Sequence, residues 1–167
     1  MIEFKAVSKT DIDFFDQNGY LIIRNVLDGD TISTLIEAGD RLIHSNRTKL
    51  RQKGGDQYDS FRNSITLDDA FIRLIDWSEI LPVVLQLLGA NLQIMTSHLI
   101  YKYPDPANLP DTHRHPGWHR DYLQATRDMG NAAIPRLLVK CAYYLTDLRK
   151  PKRGATMVAA GSNHLEG

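Results

Sequence analysis

Apolar residues recur at helical spacing through the first half of this chain and at alternate positions through the second. Ser8 or Thr10 can cap a short helix over 11–18, and Gly19 supplies the left-handed residue that ends it. Residues 20–23, Tyr-Leu-Ile-Ile, read as a strand. Asp30 or Thr31 opens a second helix, with Ile32, Leu35, Ile36, Leu42 and Ile43 roughly on one face. The polar stretch 47–60 carries Gly54 and Gly55 and reads as an exposed, mobile loop. Residues 68–76 and 78–88 look helical. Pro82 is compatible with the first turn after a Ser78 cap, and Gly89 closes the helix.

From there the pattern turns to β. Residues 91–103 alternate, with Leu92, Ile94, Thr96, His98, Ile100 and Lys102 on one side. Four of the seven prolines fall in 104–117, which demands a loop. Strands are expected over 118–123, over 136–147 with Cys141, Tyr143 and Leu145 on one face, and over 155–159. Helices first and antiparallel strands later predict an α+β fold, with helices packed on one side of a β-sandwich or barrel.

Composition narrows the function. An apolar content of 43% in 167 residues suits one globular domain. Twenty basic and twenty acidic residues balance, leaving no basic stripe for nucleic acid. The single Cys141 cannot form an internal disulfide and fits a reducing cytosol. There is no apolar signal core at the start and no run of about 18 apolar residues to cross a membrane, so a cytoplasmic protein is expected. No internal repeat or low-complexity segment is present.

The chemistry concentrates in His113-Arg114-His115-Pro116-Gly117-Trp118-His119-Arg120-Asp121-Tyr122. On a strand, His119 and Asp121 project from the same face. An imidazole and a carboxylate side by side are two members of the 2-His-1-carboxylate triad, which holds non-heme Fe(II) and leaves coordination positions open. The bland alternative is a surface His–Asp contact. A zinc hydrolase is disfavoured, because Gly117 and Trp118 stand where an Asp and a His would follow His113-x-His115. No Gly-rich nucleotide loop or nucleophile elbow competes. Ser97 and His98 fall on opposite faces of a strand and cannot form a nucleophile–base pair.

Five segments, in order, resemble the phytanoyl-CoA dioxygenase family of Fe(II)/2-oxoglutarate oxygenases: FFDQNGYLIIRNVL, LPVVLQLLGANLQIM, RHPGWHRDY, RLLVKCAYYLTD and RGATMVAAGSNHLEG. The resemblance implies a double-stranded β-helix, or jelly roll, with helices packed outside: a helical part over 1–90 and the first jelly-roll strands over 91–167. It implies Fe(II), 2-oxoglutarate as co-substrate, O₂, and hydroxylation of a small organic molecule. By position, His119 and Asp121 would be metal ligands, while Arg62, His98 and Tyr143 would face the co-substrate. His164 matches a segment that does not bind iron in the family. The family also has a distal His ligand and a co-substrate Arg that this sequence lacks. The expectation is an N-terminal portion of a jelly roll, inactive by itself, with a non-catalytic binding module of the same fold as the alternative.

Overall fold

The computed structural model describes residues 7–45, 51–53, 58–104, 108, 118–121, 123–130, 135–150 and 152–165. Helix α1 spans Lys9–Asn18. The Ser8 hydroxyl accepts the Asp11 N–H at its start, and Gly19, at φ 80°, lets its own N–H reach the Phe15 carbonyl at the end. Helix α2, Gly29–His44, begins earlier than Asp30 or Thr31 would give. The Asp28 carboxylate takes the Thr31 N–H at 2.7 Å, so Asp28 is the cap. The buried stripe of α2 is Leu35, Ala38, Gly39 and Leu42, which is the spacing of one helical face.

The loop expected over 47–60 is corrected by two strands: β1, Arg51–Lys53, and β2, Tyr58–Arg62. With β3, His98–Lys102, they form an antiparallel three-stranded sheet in the order β1-β2-β3. Polarity disguised β2. Its centre, Asp59-Ser60-Phe61, is buried, and the Tyr103 hydroxyl donates to the Asp59 carboxylate. Phe61, wholly buried, joins Leu35, Ala38, Leu42 and Phe71 in the core.

Side chains alternate across the sheet, which divides the work between its two faces. Phe61 and Leu99 pair in register and face α2. Tyr101 shares that side, and its hydroxyl donates to Asp40 at 2.8 Å. Gly39 is required there, because a Cβ at that position would overlap the Tyr101 ring and hydroxyl. The opposite face carries Ser60, Arg62, His98 and Ile100.

Several expected strands are shorter or absent. Residues 20–23 make no ladder, and Ile22 is 62% exposed. The 91–103 strand shrinks to β3; just before it, the Ser97 carbonyl accepts the Asn63 N–H at 2.8 Å where the chain turns away from the sheet. Trp118–Arg120 is not a strand, and residue 123 opens a helix, α5, over Leu123–Met129. Residues 136–147 and 155–159 carry no ladder either. Strands fall within the part read as helical, and the described residues form a mixed helix and strand arrangement. Most of the 104–117 loop lies outside the described residues.

Helix α3 is only Asp69–Ile72, capped by Asp68. Helix α4, Leu81–Leu88, starts later than a Ser78 cap would allow. The Ser78 hydroxyl goes to Glu79 instead, and Trp77–Ile80 form a turn that places Pro82 near the helix start, where its missing N–H costs nothing. Arg136 then ties three parts together. It donates to the Leu87 carbonyl at 2.9 Å, pairs with Asp16 and stacks on the Phe15 ring at 5.2 Å.

Candidate functional site

His119 and Asp121 do come together. The imidazole Nε2 lies 3.5 Å from Asp121 Oδ1, although the backbone there is not a strand. Arg120, between them, sends its guanidinium to the carbonyls of Ser162 and Leu165. The motif is thereby tied to the chain's last described turn, Ser162–His164. His164 itself turns away, its ring contacting the Asp16 carbonyl at 2.8 Å.

Asp121 has a second partner. The Lys140 ammonium pairs with its other oxygen, Oδ2. That hydrogen bond first, and the charges of Lys140 and His119 after it, hold the Asp121 carboxyl below the usual carboxylate range. Lys140 also acts on His98, whose pKa is lowered by burial first, then by the positive charges of Arg62 and Lys140. Arg62 and His98 are direct cross-strand partners. Lys140 thus contacts Asp121 directly, and its charge is felt at His98, the cross-strand partner of Arg62.

Ser60 lies on the same face of β2 as Arg62, two residues away. Its hydroxyl is buried and has no hydrogen-bond partner among the described residues. A buried hydroxyl without a partner costs about 1–3 kcal/mol, which a polar ligand can offset.

Tyr143 is not among these residues. Its hydroxyl donates to the Leu74 carbonyl at 3.2 Å, and burial raises its pKa. His113 and His115 lie outside the described residues.

A model of the phytanoyl-CoA dioxygenase family matches residues 15–167, from inside α1 through the His119–Asp121 motif to the Ser162–His164 turn. The chain belongs to the phytanoyl-CoA dioxygenase family. No curated protein and no solved structure matches it. Phytanoyl-CoA dioxygenase family members are generally Fe(II)- and 2-oxoglutarate-dependent, and membership points to an oxygenase. No helix among the described residues is long and apolar enough to cross a membrane.

The motif residues fit the family's metal. His119 and Asp121 bring an imidazole and a carboxylate, the donor types of a non-heme iron site, together with Nε2 and Oδ1 3.5 Å apart. Both groups are open to solvent, with side-chain exposures of 74% and 40%. Among the described residues no group of three or more His, Cys, Asp or Glu side chains could hold a metal.

Sequence reasoning passed over Lys140 and Arg120. The signal for Lys140 was available: it is the one charge in the apolar run Leu-Leu-Val-Lys-Cys-Ala-Tyr-Tyr-Leu over 137–145. Arg120 had none, because its partners are backbone carbonyls more than forty residues away.

Proposed function

We propose that this protein is an Fe(II)- and 2-oxoglutarate-dependent dioxygenase that hydroxylates a small organic molecule, built on the jelly-roll plan of its family. The observation that carries the reading is the His119–Asp121 pair, 3.5 Å apart with Lys140 on the second oxygen of Asp121, in a chain that belongs to this family. Bound iron would supply open coordination positions where the co-substrate and O₂ meet.

His119 Nε2 and Asp121 Oδ1 would hold the metal. Arg62 offers a planar, permanently charged donor set to a carboxylate, and a charge-assisted hydrogen bond of this kind is worth about 1.5–3 kcal/mol. His98, whose protonated form is disfavoured by burial and then by the Arg62 and Lys140 charges, adds an imidazole beside that cation. A permanently charged guanidinium suits a dicarboxylate that would chelate a metal at one end and need a positive partner at the other.

The test is calorimetric titration of 2-oxoglutarate into protein with and without Mn(II). Metal-dependent binding, weakened about tenfold or more in Arg62→Met, supports the assignment. Binding that ignores both the metal and Arg62 removes it.

A further inference from the structure

We propose that Lys140 is a positioning residue for Asp121: its ammonium engages Oδ2 and so presents Oδ1, the oxygen beside the His119 ring, to the metal. The proposal rests on the metal-site reading above and adds to it a residue outside the His-x-Asp motif.

A carboxylate on a short side chain can rotate, and either oxygen or both can meet a cation. Here the two oxygens have different partners. Oδ1 lies 3.5 Å from His119 Nε2, while Oδ2 is taken by Lys140. With one oxygen so held, the other is left in the position where the imidazole also points. Metal-ligating carboxylates are commonly oriented by such outer hydrogen bonds, whose loss costs about 10–100-fold in metal affinity. Lys140 is itself placed by the segment that Arg136 anchors onto Leu87 and Asp16.

A fixed positive charge also repels an incoming dication, an effect of opposite sign. The magnitudes decide between them. Lys140 and Asp121 side chains are 63% and 40% exposed, so water and salt weaken the repulsion and the ion-pair attraction alike, and what remains is the directional hydrogen bond that leaves Oδ1 as the free oxygen. Orientation therefore dominates, and removing Lys140 weakens metal binding. Because the Lys140 side chain is exposed, its replacement leaves the core of Leu35, Phe61 and Phe71 intact.

The experiment measures Mn(II) binding to the whole chain by the spin-resonance signal of the free ion. It compares wild type with His119→Ala, Asp121→Asn, Lys140→Met, Lys140→Arg and the double variant Asp121→Asn/Lys140→Met. Lys140→Met should weaken binding about tenfold or more, and Lys140→Arg should recover most of the loss. In the Asp121→Asn background, Lys140→Met should add nothing, a coupling that a merely structural role would not produce. Unchanged or tighter binding in Lys140→Met, or an equal loss in both backgrounds, overturns the role of Lys140 while the His119–Asp121 site stands. Wild-type binding that does not depend on His119 and Asp121 overturns the site and this inference with it.

Discussion

Arg62 and His98 are partners across the β2–β3 ladder, and their side chains leave the sheet on the face that α2 does not cover. The pairing follows from register alone. Phe61 opposite Leu99 fixes which residues turn toward the core, and with a period of two its neighbours Arg62 and His98 must turn the other way. Core packing on one face thus sets the chemistry of the other.

His98 should therefore titrate below the ordinary histidine value of about 6.5, because burial and then the Arg62 and Lys140 charges disfavour its protonated form. In the window between that lowered value and 6.5 the unfolded chain binds more protons, so His98's contribution to stability declines as pH falls through it and is constant above it. Following the His98 ring resonances by NMR gives its value directly. Arg62→Met should raise it; titration above 6.5 in the wild type would contradict the cluster.

Phe61→Ala should destabilise the protein by about 3–5 kcal/mol in urea unfolding, since it empties a fully buried ring position beside Leu35. Ile100→Ala, on the other face and 55% exposed, should cost far less. Equal costs would mean that the register is assigned wrongly.

Gly39→Ala forces the Tyr101 ring away and breaks its hydrogen bond to Asp40. The expected loss is about 1–3 kcal/mol, and it should shrink in a Tyr101→Phe background, where no hydroxyl remains in the way. A cost that is the same in both backgrounds would show that the clash lies elsewhere.

Tyr143→Phe removes a hydroxyl whose partner is the Leu74 carbonyl. It should lower stability by about 0.5–1.5 kcal/mol and leave 2-oxoglutarate affinity within about twofold. A large loss of co-substrate affinity with unchanged stability would return Tyr143 to the pocket.

The sequence was legible where local chemistry decides. The Ser8 cap, the Gly19 and Gly89 stops and the face-forming Leu35 and Leu42 all follow from residue types at fixed spacings. It was misleading where partners are distant. Asp59 and Ser60 read as loop because their burial depends on Tyr103 and on strand pairing, which no window of sequence contains. The His119–Asp121 proximity was expected from strand alternation, yet it occurs off a strand, in a segment that Arg120 ties to Ser162 and Leu165. Lys140 stands out in the sequence as the one charge in the apolar run 137–145, but its pairing with Asp121 depends on how distant segments meet.

Anaerobic Fe(II) titration of the chain, with and without 2-oxoglutarate, tests the central claim most directly. Binding of metal and chelating co-substrate must be mutually reinforcing by the same factor, whichever is added first. The account predicts Fe(II) binding that 2-oxoglutarate tightens, with His119→Ala and Asp121→Ala each weakening it about tenfold or more and abolishing the reinforcement. Fe(II) binding equal in wild type and both variants, or indifferent to 2-oxoglutarate, would contradict it.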